Sequence, residues 1–167
     1  MILETPSCIV RPPRLGDAPS VAECANDFDV WRNLRDRFPY PYTVQDAEEW
    51  IRRNSGLEPA TTFFIEVGGH AAGGIALMPN DDIQRCSAEL GYWLGRTFWG
   101  RGIVTDAVRA VARYGLERLA LTRVYALPFA RNAASRRVLA KAGFVEEGIL
   151  RKAAVKNGEV IDLVMCG

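Results

Sequence analysis

Seven residues, Trp99-Gly100-Arg101-Gly102-Ile103-Val104-Thr105, lie between an apolar alternating stretch and a run of helical periodicity, and their types suit the binding of an anion. Glycines let backbone approach a ligand closely, and the first N–H groups of a helix lack partners within it. Strand, glycine turn and helix start therefore offer a row of donors fit for a pyrophosphate. A tight turn whose glycines only relieve strain is the alternative that the loop by itself leaves open. Two familiar phosphate loops are excluded by spacing. A dinucleotide fingerprint needs a third glycine where Thr105 stands, and a P-loop needs Gly-Lys-Ser/Thr, which the sequence lacks. Arg101 lies inside the loop and is the cation best placed to meet an anion there; Arg137 and Lys141, further along, fit a phosphate contact or solvated surface equally well.

The elements that position this loop follow from periodicity. TTFFIEV, the turn Gly68-Gly69-His70 and AAGGIALM form a hairpin, and CSAELGYWL is a third strand running into the loop. Beyond the loop, Val104, Val108, Val111, Ala112 and Leu119 make one stripe of an amphipathic helix. Upstream, CIVRPP is a short strand stopped by Pro12 and Pro13; Asp17 caps a helix reaching about Asn26, and FDVWRNLRD suggests another. Pro39 and Pro41 force extended backbone that presents Phe38, Tyr40 and Tyr42, after which Thr43 and Asp46 open a helix carrying Trp50 and Ile51. Downstream, RVYALPF is a strand in which Pro128 has no N–H to donate, so it should splay from a neighbour. Asn132 caps the helix AASRRVLAKA, Gly143 ends it, and a last hairpin turns at Asn157-Gly158. The expected class is α+β with a mostly antiparallel sheet.

The 167 residues, 49% of them hydrophobic, are enough for one continuous core, so one domain over residues 1–167 is expected. With 21 Lys plus Arg against 20 Asp plus Glu, a net charge of +1 gives no field that would gather nucleic acid or an anionic membrane. Cys8, Cys24, Cys86 and Cys166 lack the paired spacings of a zinc or redox site and suit small core residues in a reducing compartment. No apolar stretch approaches the roughly 18 residues of a membrane span, and a cytoplasmic location is expected. The single His70 sits beside two glycines with no carboxylate cluster nearby, so no metal is expected.

The run AELGYWLGRTFWGRGIVTDAV, followed by RNAASRRVLAKAGF, resembles the core motifs of the GNAT superfamily of N-acetyltransferases, and within it the RimJ/RimL-like branch. The start IVRPPRLGDA and the closing hairpin extend the resemblance over nearly the whole chain. It implies the GNAT fold: a mixed, mostly antiparallel central sheet of about six to seven strands, splayed in the middle and flanked by about four helices. It implies acetyl-CoA as co-substrate, with the pyrophosphate on a Gln/Arg-x-x-Gly-x-Gly/Ala loop that falls here on Trp99 to Val104, and with Thr105 continuing the helix start. Trp99 replaces the Gln/Arg, as is usual in this branch. Val104 stands where the motif has Gly or Ala, but the contacts come from backbone N–H groups and its side chain can face the core. The pantetheine arm is placed along Tyr92, Trp93 and Leu94. Asn132 matches a cofactor contact, although Asn at a helix start caps it regardless, and Ser135 lies on the same helical face.

Amide formation from a thioester needs a neutral amine, stabilisation of the developing oxyanion and a proton for the thiolate. The resemblance assigns Glu89 as base, directly or through water, Ser135 as proton donor, and the backbone N–H groups of Tyr92 to Leu94 as oxyanion donors. The RimL-like catalytic glutamate of the final hairpin falls near Ala154, which cannot act as a base. An α-amine is roughly one-tenth neutral at pH 7, and a lysine only about once in a few thousand, so a base matters more for lysine. The expected activity is N-acetylation of a primary amine, a protein or peptide N-terminus or a small molecule, gripped by Phe38, Tyr40 and Tyr42 unless these are core. A homodimer is plausible by resemblance. The alternative is a catalytically silent acyl-CoA-binding sensor or scaffold.

Overall fold

The computed structural model describes residues 1–167. Six strands form one sheet in chain order: β1 (Leu3–Glu4), β2 (Ile9–Arg11), β3 (Thr62–Val67), β4 (His70–Pro79), β5 (Ser87–Leu94) and β6 (Arg123–Tyr125). All neighbours are antiparallel except β5 and β6. Three helices, α1 (Ala18–Ala25), α2 (Phe28–Trp31) and α3 (Val44–Asn54), follow β2; α4 (Ile103–Arg118) crosses from β5 to β6. Next come α5 (Ala133–Ala142) and the hairpin of β7 (Glu146–Lys156) and β8 (Glu159–Cys166), which is a separate two-stranded sheet. No helix is long and apolar enough to cross a membrane.

Alternation along the strands gives the sheet two apolar faces. Ala88, Leu90 and Leu94 of β5 join Val108 and Val111 of α4 in the larger core, with Val104, Ala112 and Leu119 packed at its margin. On the other face, Phe64 and Ala71 meet Ala22 and Ile51 of α1 and α3, with Trp93 against them. Thr43 and Asp46 cap α3 reciprocally, as their spacing predicts.

Asp17 departs from its expected role, since its carboxylate accepts no hydrogen bond from the N–H groups of α1. It accepts instead from both Arg11 amino groups, at 2.8 and 2.7 Å, and from the Arg14 N–H. Arg11, which also meets Glu66, is buried, so the pair fastens β2 to α1. Loss of Arg11 leaves the Asp17 carboxylate buried without its cation and costs about 3–5 kcal/mol. FDVWRNLRD yields helix only over Phe28–Trp31, capped by Asp27. Cys86 lies exposed in the turn before β5 and not in a core; all four cysteines are free.

The ladder between β5 and β6 covers only Ser87–Glu89 against Arg123–Tyr125. Beyond it the strands part, as expected, but the cause is not the one that Pro128 suggested. After Tyr125 the chain changes partner: Ala126 exchanges two hydrogen bonds with Cys166, and Pro128 O accepts from Val164 N–H at 3.0 Å. In an antiparallel pair a residue turns its N–H and C=O to the same neighbour. The donor that Pro128 lacks is therefore missing from the hairpin side, and the gap beside β5 exists because β8 takes up the chain that would have filled it.

Candidate active site

Two hydrogen bonds, Gly95 N–H to Ala72 O at 2.8 Å and Asn80 N–H to Ser87 O at 3.0 Å, fix the alternation of the β4/β5 ladder. Odd-numbered residues of β5 direct their amides to β4, and even-numbered ones direct theirs to the gap. Tyr92 and Leu94 thus face the opening, whereas the Trp93 amide belongs to the sheet opposite Gly74. Of the three donors expected here, only two are available. The Leu94 carbonyl, also on the open side, accepts from the Trp99 indole N–H at 2.7 Å, which pins the glycine loop to the strand end. Close approach of β4 needs Gly74, because a Cβ there would lie 2.6 Å from the Trp93 indole nitrogen.

In the loop, Gly100 and Gly102 have φ of 77° and 78°, the left-handed region that glycine enters without strain. Gly102 is the N-cap of α4, which starts at Ile103, two residues before the run TDAV. The first hydrogen bond of the helix is Asp106 N–H to Gly102 O at 3.1 Å, and no backbone N–H from Gly100 through Thr105 has a partner in the protein. A Cβ added at Gly100 or Gly102 would meet nothing within 4 Å, so the donors border open space. A run of free donors at the positive end of a 16-residue helix suits a pyrophosphate. Arg101 stays near it, its guanidinium 5.8 Å from the Phe98 ring centroid. Val104 packs against the larger core, so its bulk lies away from the donors.

Across the gap, α5 brings up Asn132 and Ser135. The Asn132 side chain accepts from the Ser135 N–H at 3.1 Å, so it is a helix cap. The Ser135 hydroxyl lies 2.7 Å from the Tyr92 hydroxyl, which also approaches the Ser135 carbonyl at 3.3 Å. Burial pushes the Tyr92 hydroxyl up to about 12, against the opposing effect of the Ser135 hydrogen bond, and it stays protonated at neutral pH. Sequence reasoning placed Tyr92 here for its backbone and missed its hydroxyl. The alternation of β5 shows which way that side chain leans, but nothing local names a partner 43 residues away.

Glu89 lies on the opposite face of β5 from Tyr92. Its Oε1 is paired with Arg35 Nη2, a residue that the sequence did not single out. The carboxylate is 16% exposed and Arg35 52%, so the cation covers the acid from the solvent side. The three aromatics expected at the acceptor separate. Phe38 packs on Trp93 with ring centroids 5.5 Å apart and is the one brought to this face of β5. Tyr42 is buried in the smaller core, where burial, assisted by Asp46, pushes its hydroxyl up to about 12. Tyr40 lies exposed against Phe28 and Trp31. Ala154 pairs with Ile161 in the hairpin and supplies no ionisable group. No group of three or more His, Cys, Asp or Glu side chains gathers as a metal site.

Residues 8–145, which carry the parted strands, the donor row and the capped helix facing them, match a protein-family model described as "Acetyltransferase (GNAT) domain". The chain belongs to the GNAT acetyltransferase family. "Uncharacterized N-acetyltransferase YoaA" of Bacillus subtilis (strain 168) is 39% identical over 172 residues, covering 96% of the chain and 92% of that protein. "Putative ribosomal N-acetyltransferase YdaF" of the same organism is 41% identical over 120 residues, 70% of the chain and 62% of that relative, so the match spans under two thirds of its length. The structure of RimL, a ribosomal L7/L12 alpha-N-protein acetyltransferase, in complex with coenzyme A superposes with a TM-score of 0.86 at 22% identity, covering 99% and 96% of the two chains. Within the GNAT family the chain sits with the RimJ/RimL-like branch, as its motifs imply.

Proposed function

We propose that this chain is an N-acetyltransferase that moves the acetyl group of acetyl-CoA directly to a primary amine, either a protein or peptide N-terminal α-amine or a small-molecule amine. The observation that carries this is the run of free N–H groups from Gly100 to Thr105 beside the open edge of β5. These groups would hold the pyrophosphate, with Arg101 adding charge, and the Tyr92 and Leu94 amides would pair with the extended arm. Trp99 would act through the loop, by fixing it to Leu94. When bound, acetyl-CoA supplies a thioester carbonyl that a neutral amine can attack.

The chain's own groups divide the remaining work. An open-side amide of β5 would stabilise the charge developing on the carbonyl oxygen. Glu89 would take the amine proton, directly or through water; Arg35 engages only its Oε1, which leaves Oε2 for that purpose. The Ser135 hydroxyl would give its proton to the departing sulfur, held by Tyr92 in the orientation that this requires. Asn132 would serve by capping the helix that carries Ser135.

Mass spectrometry of products formed from the protein, acetyl-CoA and a mixed peptide and metabolite library tests activity and acceptor together. Acetylated product with release of free thiol is the expected result. Thermal stabilisation by acetyl-CoA with neither product nor thiol would overturn the proposal in favour of a silent acyl-CoA-binding module.

A further inference from the structure

Three consecutive charges, Arg35, Asp36 and Arg37, lie in the segment between α2 and α3. The two arginines reach the same place on the sheet. Arg35 pairs with Glu89, while Arg37 Nη2 lies 3.5 Å from Met78 Sδ, and Met78 is directly opposite Glu89 in the β4/β5 register. A thioether is a weak acceptor, and Arg37 has no carboxylate partner. Asp36 turns the other way and accepts from Lys156 Nζ at 3.0 Å. That lysine side chain is only 2% exposed and sits over the Trp31 ring, 3.8 Å from its centroid. With Phe38 packed on Trp93, the segment is fastened at Asp36, between the arginines, and at Phe38, just after them. On β5 itself, Gly91 adds no side chain between Glu89 and Trp93, and the Met78 methyl lies over it, 3.2 Å from where a Cβ would stand.

We infer that the acceptor is an anionic amine: a primary amine with a carboxylate a few bonds away, bound through Arg37 and Arg35 while its nitrogen reaches Glu89. This rests on the transferase activity proposed above. An unpaired guanidinium held beside the base repels a second cation and takes a carboxylate in a two-point grip. Polyamines and other amines of added positive charge are therefore disfavoured. Arg35 gives Glu89 a single N–H from Nη2, so the rest of its five donors remain for the acceptor carboxylate.

The inference is tested by kcat/KM with acetyl-CoA for C-terminally amidated peptides identical except for Glu, Gln or Lys at the second position, with free glutamate as a further acceptor. The Glu peptide should exceed the Lys peptide by about tenfold, mainly through KM, and added salt should shrink the ratio. Arg37→Glu should reverse the order, and Arg35→Gln should narrow it. Acetylation of glutamate above the Glu peptide assigns the carboxylate to a free amino acid, and the opposite order assigns it to a peptide side chain. Rates for the three peptides within about twofold of one another, or an order unchanged by Arg37→Glu, would overturn the inference while leaving the transferase proposal intact. No product from any acceptor would remove both.

Discussion

The two sides of β5 are built from different materials. The side facing the gap is backbone: the Tyr92 and Leu94 amides, then the free donors from Gly100 to Thr105. The side facing α1 and α3 is side chain: Glu89, Arg35 and Arg37 on an exposed rim, with Trp93 and Phe38 behind them. Backbone donors are placed by the fold and tolerate changes of residue type so long as the conformation survives. A side-chain constellation keeps its geometry only while each partner keeps its identity. One half of the site is thus suited to an invariant ligand and the other to a variable one.

That division can be broken most sharply at Glu89. Glu89→Gln should lower kcat by at least about tenfold, and by up to about a hundredfold if the base acts directly, while calorimetry shows acetyl-CoA binding unchanged. Unchanged turnover would remove Glu89 from the chemistry. The backbone half should respond in the opposite way. Gly102→Val places a β-branched residue at φ 78° and should cost about 1–2 kcal/mol, raising the Kd for acetyl-CoA several-fold with little effect on acceptor KM. Trp99→Phe removes the indole hydrogen bond to Leu94 and should cost about 1 kcal/mol, seen as a fall of a few degrees in Tm and looser acetyl-CoA binding.

The smallest effect is confined to high pH. The Tyr92 hydroxyl titrates at about 12 in the folded protein, above the value near 10 of an unfolded tyrosine. Below that unfolded value both states are protonated and the contribution to stability is complete. Between the two the unfolded chain loses its proton first, so stability falls as pH rises. Tyr42 adds to the same decline. Tyr92→Phe should flatten part of the Tm curve in this window, and an unaltered slope would show that Tyr92 is not held neutral by the fold.

What could be read in the sequence follows the same division. Gly100 and Gly102 are legible because a backbone that needs positive φ records the need as glycine, and β5 is legible because alternation is a local property. The helix over AASRRVLAKA carries its own cap and stop in Asn132 and Gly143. Arg35 is silent, because its partner Glu89 lies 54 residues away and an arginine in a polar segment looks like solvated surface. Asp17 misleads for a related reason. Its position before a helix fits a cap, and only tertiary structure shows Arg11 claiming the carboxylate. Pro128 is half legible: the missing donor is certain from the residue type, but which neighbour goes without it depends on a register that no local pattern encodes.

Lys156 gives the final hairpin a mechanical meaning. At one end the hairpin hangs from residues 126–130 by a short ladder, from which Pro128 subtracts one hydrogen bond. At the other, its tip is clasped to Asp36, the residue between the two arginines. The clasp is an ion pair over one indole ring, and Arg131 adds a second tie by pairing with Glu159 beside the turn and donating to the Arg32 carbonyl. Asp36 is thus held from the hairpin side while Arg35 and Arg37 reach the sheet, so the placing of both arginines depends on an element that touches none of the free donors from Gly100 to Thr105.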